Sequence, residues 1–181
     1  MKQLIITILA LFVNIAISAQ TNSNVLKFMD IPVDGSKTQV IQKLEKKGFK
    51  YDSTNDCLTG RFNGQDSHIV ISTNKNKVDR IIVRNTTGTD ETNVRINYNN
   101  LLYQFNNNSK YITDVENKPI PEDEDISYEM TVHNKRYEAV FYLKENITQG
   151  CVWFVICKFH SKYYIVIFYE NLNNRPNGED L

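Results

Sequence analysis

The sequence predicts an α+β fold: two helix-plus-antiparallel-meander units, with the helices on one face of a curved antiparallel sheet. Two observations support this class. Two segments carry apolar residues at helical spacing, and each is followed by segments in which apolar and polar residues alternate between turn signals. Aromatic residues form 11% of the chain, whereas Gly and Pro are few, and this composition suits a packed sheet.

The first 19 residues have the pattern of a signal peptide. Lys2 provides the positive charge, residues 4–13 are apolar except for Thr7, and small residues precede a cleavage point after Ala19. The apolar run is shorter than the ~20 residues needed to span a membrane. We therefore expect an exported protein with no membrane span after cleavage, in which residues 20–181 form a single α+β domain.

The first helix is predicted over residues 36–47. Ser36 and Gln39 have the spacing of a capping box, in which each side chain satisfies a free backbone N–H at the helix start. Gly48 can close the helix in the left-handed conformation, and Phe49 can then fold back onto the helix. The apolar stripe between these two ends consists of Val40, Ile41 and Leu44.

Residues 58–84 read as a three-stranded antiparallel meander. Apolar residues alternate with polar ones along 58–63 and again along 68–72, and Asn63-Gly64 between them is a strong hairpin signal. A second turn is predicted at residues 74–76, and 78–84 supplies the third strand.

The second unit is predicted to repeat this order. A helix begins near Thr89 and Asp90, and residues 128–143 can be laid on 58–73 without a gap, followed by strands at 152–159 and 163–169. This interpretation places the repeats at about 25–86 and 87–171, with a short C-terminal tail. The apolar stripe of the second helix consists of Val94, Tyr98, Leu101, Leu102 and Phe105.

The chain contains, in order, a signal peptide, the capped helix DGSKTQVIQKLEKKGF, a meander and a looser copy. This order resembles that of small exported α+β repeat proteins of Gram-negative envelopes. That broad group includes the β-lactamase-inhibitor-like and PepSY-like folds. The resemblance implies a periplasmic or secreted protein of a Gram-negative bacterium, which binds a partner by its open sheet face or inhibits a secreted enzyme.

The last strands are apolar on both faces, so both faces need a cover. The helices cover one face. The candidates for the cover of the other face are residues 25–33, a second copy of the chain in a homodimer, a ligand, or other parts of the chain. We predict that the outward surface binds an unknown protein or envelope component. The predicted binding residues are Val140, Tyr142, Phe154 and Phe168.

Catalysis is not expected. The chain has no recognisable nucleophile, phosphate-loop or metalloprotease motif. The histidines His68, His133 and His160 stand apart from other metal-ligating residues. We therefore predict no catalytic residue, metal or cofactor. The acidic run at 122–125 is interpreted as a solvated connector rather than a calcium loop, because it lacks a Gly and alternating ligands. An envelope glycan-processing enzyme and a structural envelope component are the alternative functions.

Charge and cysteine content limit the partners further. Lys plus Arg and Asp plus Glu are each 21, so no net field attracts nucleic acid. Cys151 and Cys157 lie too far apart on one strand to pair, while a bond from Cys57 to either is open, as is the interpretation of all three as small buried residues. Residues 52–54 (Asp-Ser-Thr) match a short bacterial O-glycosylation acceptor.

Overall fold

The computed structural model describes residues 25–113 and 116–176, so the predicted signal peptide lies outside the described residues. Within these ranges no helix combines the length and apolarity that a membrane crossing requires. The helices there are α1 (Lys37–Glu45), α2 (Glu91–Asn106) and α3 (Ile126–Val132), followed later by a 3-10 turn at Leu172–Asn174. The strands there are β1 (Lys27–Phe28), β2 (Ile31–Pro32), β3 (Lys50–Asp52), β4 (Cys57–Phe62), β5 (Gln65–Asn74), β6 (Lys77–Asn85), β7 (Tyr111–Ile112), β8 (Glu138–Leu143), β9 (Gly150–Phe159) and β10 (Lys162–Asn171).

Eight of the described strands form one antiparallel sheet in the order β3-β4-β5-β6-β10-β9-β8-β7, and β1 and β2 form a separate hairpin. The α+β class is therefore confirmed. The large sheet consists of two groups of four strands, from residues 50–85 and 111–171, that meet where β6 pairs with β10.

Helix α1 has the predicted Ser36 cap and Gly48 closure, although of the capping box the described hydrogen bonds include only the half made by Ser36. The Ser36 side chain accepts a hydrogen bond from the backbone N–H of Gln39, at 3.4 Å. At the other end Gly48 has φ of 94°, and the N–H of Phe49 donates to the Leu44 carbonyl at 3.2 Å. The N–H of Gly48 donates to the carbonyl of Glu45 at 2.9 Å, and these two bonds constitute a Schellman motif. Phe49 is buried beside Leu44, so the closing turn anchors α1 to the core.

Helix α2 also matches its prediction. Asp90 is the N-cap, and its carboxylate accepts from the N–H of Asn93 at 2.8 Å. The helix packs against β10. Its buried residues are Val94, Tyr98, Leu101, Leu102 and Phe105, the five of the predicted stripe.

Both helices cover the same face of the sheet. One row of directly opposed residues crosses six strands on this face, and every member is buried because it meets the helix layer. Val40 and Leu44 of α1 belong to the same core cluster as this row and the α2 stripe. The row consists of Leu58, Ile69, Val83, Ile167, Phe154 and Ala139.

The β1–β2 hairpin lies on the helix side as well. The Phe28 ring lies 4.9 Å from the ring of Tyr169 and 5.2 Å from that of Phe62, measured between centroids. Tyr169 is on the helix side because it is opposite the buried Ile81 of β6. Residues 25–33 therefore thicken the existing core, and of the candidate covers for the opposite face this one is excluded.

The gapless overlay of 128–143 on 58–73 is wrong, because Ile126–Val132 is the helix α3 and not a strand. Asp125 caps this helix by accepting from the N–H of Tyr128 at 2.8 Å. Ile126 is fully buried, and its N–H donates to the Glu91 carboxylate at 2.7 Å. These tertiary contacts outweigh the strand preference of the Ile, Tyr, Thr and Val residues in the segment.

The acidic run is a solvated connector, as predicted, since Glu122, Asp123 and Asp125 are exposed, but its backbone is held against α2. The guanidinium of Arg95 on α2 donates to the backbone carbonyls of Glu122 and Glu124, each at 2.6 Å. The Glu124 carboxylate accepts from Lys135 and from the buried Tyr137. The run thus ties α3 to α2 and carries no geometry for calcium.

Candidate functional site: the open sheet face

The face of the sheet that points away from the helices is called the open face. Side chains alternate between faces along a strand, so the neighbours of the buried row point here. Five of them lie directly opposite one another on five adjacent strands, and we name them the apolar row. Its members are Val70, Ile82, Phe168, Trp153 and Val140. Val70 is 40% exposed and the other four are half-buried, so the row is accessible along its whole length.

A stacked aromatic pair forms the centre of the apolar row. The rings of Trp153 and Phe168 are nearly parallel, 7° apart, with centroids separated by 3.8 Å. Arg80 lies over the Phe168 ring at 5.9 Å, and Arg84 lies over the neighbouring Tyr164 ring at 5.2 Å. Both distances are in the range of cation–π attraction. The centre of the open face is therefore aromatic and bordered by arginines.

The row of residues beside the apolar row holds an ion pair that orients one of these arginines. Glu170 is only 3% exposed, and its carboxylate lies 3.0 Å from Nε of Arg80 and 3.7 Å from Arg175. A buried carboxylate is stable only when it is paired. The negative charge of Glu170 is therefore covered, and Arg84 is an exposed cation next to the aromatic centre.

The structure places three of the four predicted binding residues on the open face. Val140 and Phe168 belong to the apolar row, and Tyr142 lies one pair further along β8, opposite Cys151; all three are half-buried. Phe154 does not belong with them. It is fully buried on the helix side, where its ring meets that of Tyr98 at 5.2 Å.

The position of Phe154 follows from the turn between β9 and β10. A two-residue turn at His160-Ser161 pairs Phe159 with Lys162, and six steps further from the turn Trp153 meets Phe168. Paired residues in an antiparallel ladder share a face, so Phe168 and Phe154 must lie on opposite faces. The sequence analysis placed strands at 152–159 and 163–169 but did not propagate the register between them, and it therefore missed Trp153.

The cysteines of the described residues are all free. Cys57 on β4 is four strand steps from the two on β9, or about 19 Å at ~4.8 Å per step, which is beyond disulfide reach. Burial, reinforced by Glu170, raises the pKa of the Cys151 thiol to about 11, and burial also raises the pKa of Cys157. The buried Cys151 thiol is thus held in the unreactive protonated form. The interpretation of all three cysteines as buried residues is wrong for the other two, because Cys57 is half-buried and Cys157 is exposed.

The histidines do not converge on one point. His68 lies on the open face with Nδ1 3.4 Å from Arg84, His133 lies 3.0 Å from Glu129 at the end of α3, and His160 is in the β9–β10 turn. Among the residues that the structure describes, no group of three or more His, Cys, Asp or Glu side chains could hold a metal ion.

The Asp52-Ser53-Thr54 segment forms the exposed turn between β3 and β4. The Asp52 carboxylate accepts from the N–H groups of Thr54 and Asn55, at 2.9 Å and 3.3 Å. Both hydroxyls are on exposed residues, as a modification site requires. Glycosylation here stays a prediction.

Comparisons of the chain with protein family models, with curated proteins and with solved structures find no match.

Proposed function

We propose that this is a non-catalytic exported protein that binds a protein partner through the open face of its sheet. The observation that carries the proposal is the apolar row with its stacked Trp153 and Phe168. In the described ranges, the three helices and the β1–β2 hairpin all contribute to the core on the other face. An accessible apolar row bordered by polar residues is typical of an interaction surface.

The size and composition of the open face fit a protein partner. Its six longest strands, at ~4.8 Å spacing and ~3.3 Å per residue, give a surface about 29 Å wide and about 28 Å long. The resulting footprint, roughly 800 Å², is the upper limit of the open face, and it is large enough for the ~800 Å² of surface that each partner contributes to a standard interface. Trp, Tyr and Arg are also the residues that most often dominate binding energy.

The charges on the open face indicate the chemistry of the partner. Arg84 is exposed beside the aromatic centre, whereas Glu170 is buried under Arg80 and Arg175. A further carboxylate on this face, Glu138, is exposed and paired with Arg136 at 2.8 Å. We therefore propose a partner that presents an apolar projection for the Trp153–Phe168 pair with a carboxylate beside it for Arg84. A complementary charge of this kind fixes the register of an interface and speeds the encounter.

Three further parts of the proposal rest on the sequence. Export follows from the signal-peptide pattern before Ala19, with the periplasm or the secreted fraction of a Gram-negative bacterium as destination. Two helix-plus-meander units remain our proposal for the origin of the fold, supported by the order of four strands on each side of the β6–β10 pair. The resemblance to β-lactamase-inhibitor-like and PepSY-like proteins is proposed on the same basis.

The test compares partner affinity among single variants of the full chain. A partner captured from the cell envelope is purified, and its affinity is measured for the wild type, Trp153→Ala, Tyr142→Ala and the control Tyr103→Ala. Tyr103 is a 70% exposed aromatic residue on α2, away from the open face. Loss of a dominant contact costs ~2 kcal/mol or more, so Trp153→Ala should bind about thirtyfold more weakly while Tyr103→Ala binds normally. Equal affinities of Trp153→Ala and the wild type, with the fold intact by circular dichroism, would refute the proposal. If the wild type self-associates as its concentration rises and Trp153→Ala does not, the occupant of the open face is a second copy of the chain instead.

A further inference from the structure

A second surface lies on the helix side, where α2 does not close fully against the β4–β5 hairpin. The gap is a groove with a central cavity of about 230 Å³. The groove continues past both ends of this cavity. Gln65, Asn85 and Asn97 also line a cavity of about 380 Å³ towards the start of α2, and Phe62, Leu101 and Gln104 also line one of about 340 Å³ towards its end. We name this continuous feature the amide groove.

Carboxamide side chains line both walls of the amide groove. Three come from α2, at spacings of three and four residues that place them on one helix face, and three come from the opposite wall. They are Asn97, Asn100 and Gln104 on α2, and Asn63, Gln65 and Asn85 across from them. The floor between the walls is apolar, formed by Val83, Ile165 and Ile167 of the sheet. The central cavity has no charged residue in its lining.

The carboxamides of α2 that face the groove differ from others on the same helix. Asn99, which points towards the connector, makes two hydrogen bonds with the backbone of Ile120, at 2.8 Å and 2.9 Å. In the part of the chain that the structure describes, Asn97, Asn100 and Gln104 make no side-chain hydrogen bond to protein. Across the groove, the Asn85 carboxamide donates to that of Gln65. The α2 wall therefore presents solvated carboxamides that no protein group occupies, with Asn100 and Gln104 exposed and Asn97 half-buried, in a line above an apolar floor.

We propose that the amide groove binds an extended peptide segment of about five residues through its backbone. A carboxamide offers an acceptor oxygen and two N–H donors without charge, which matches the one donor and one acceptor of each peptide group. The wall from Asn93 to Gln104 spans eleven helical steps, or ~17 Å at 1.5 Å each, and this equals about five extended residues at ~3.3 Å. The apolar floor accommodates side chains of the segment that point inward.

The aromatic residues near the groove favour a peptide over a glycan. Phe105 and Tyr169, at one end, are 9% and 8% exposed, and Phe62 is half-buried. None of these three presents the broad free ring face on which a sugar would stack. Backbone hydrogen bonding with a shallow apolar floor is the chemistry that the residues supply.

The test uses a phage-displayed library of random heptapeptides, selected on the immobilised full chain. An enriched peptide is synthesised, and its affinity is measured by fluorescence anisotropy for the wild type, Asn100→Ala, Gln104→Ala and the control Asn106→Ala. Asn106 is an exposed carboxamide of the same helix outside the groove lining. We expect at least tenfold weaker binding for Asn100→Ala and Gln104→Ala, unchanged binding for Asn106→Ala, and shifts of the Asn97, Asn100 and Gln104 side-chain amide resonances when the peptide is added.

A Trp153→Ala variant separates this inference from the function of the open face, because Trp153 lies on the opposite side of the sheet. The peptide should bind Trp153→Ala as well as it binds the wild type. The inference is overturned if no peptide is enriched over an uncoated surface, or if affinity falls in Trp153→Ala but not in Gln104→Ala. It is also overturned if an oligosaccharide array yields a ligand sensitive to Gln104→Ala while no peptide binds.

Discussion

Adjacent residues on β9 provide a direct test of which face of the sheet is core. Phe154 is fully buried among the rings of Tyr98, Phe105 and Phe141, with centroid distances of 5.2, 5.9 and 6.1 Å. Phe-to-Ala changes at such positions cost about 3–5 kcal/mol, because apolar contacts are lost and a cavity is left. Trp153 is half-buried, and its principal ring contact is Phe168. A stacked pair adds about 0.5–1.5 kcal/mol to the partial burial, so Trp153→Ala should cost about 1–2 kcal/mol.

These costs translate into different melting temperatures. In a domain of this size 1 kcal/mol lowers the midpoint by roughly 2–4 °C, so Phe154→Ala should melt about 6–20 °C below the wild type and Trp153→Ala about 2–8 °C below it. Trp153 is the single tryptophan of the chain, so unfolding should be followed by far-ultraviolet circular dichroism rather than by fluorescence. Equal or greater destabilisation by Trp153→Ala would refute the assignment of the two faces.

Two further predictions concern ionisable groups. Burial raises the pKa of Glu124, but hydrogen bonds from Lys135 and Tyr137 outweigh it and leave that pKa below its ordinary value of 4.5. The stabilisation by Glu124 is thus complete above its unfolded-state pKa and is lost as the pH falls through its folded-state pKa. Urea titrations of Glu124→Gln should therefore show a flatter decline in unfolding free energy between about pH 5 and pH 3. The same decline as in the wild type would contradict the pairing. Because the pKa of Cys151 is about 11, iodoacetamide should leave this thiol unmodified at pH 8 in the folded protein and alkylate it in urea. Peptide mass spectrometry measures the labelling. Rapid labelling of the native protein would contradict the burial of Cys151.

Local signals in the sequence identified the elements whose ends are set by neighbouring residues. The Ser36 cap, the Gly48 closure and the Asn63-Gly64 turn were all predictable, because each depends on backbone geometry within a few positions. Gly64 and Asn63 both have positive φ, at 78° and 48°, as a two-residue hairpin turn of this type requires.

Elements set by distant contacts were not predictable in the same way. Helix α3 depends on Glu91, which is 35 positions away and accepts from the N–H of Ile126. The amide groove depends on how far α2 lies from the β4–β5 hairpin, and no spacing along the chain reports that distance. The open face is intermediate, since the register of one hairpin was enough to place Trp153 beside Phe168.

The pairing of β6 with β10 has a consequence for the order of folding. The strands nearest this seam, β4 to β6 on one side and β8 to β10 on the other, are joined by short turns and can form early from nearby residues. The seam itself joins residues more than eighty positions apart, such as Arg84 with Val166, and β10 is the last strand of the sheet along the chain. Until β10 is in place, the Ile81 and Val83 backbone is an unpaired edge that invites pairing with another chain. A ribosome-bound or truncated chain that lacks β10 should therefore aggregate, because only the addition of the last strand completes the pairing of the large sheet within one chain.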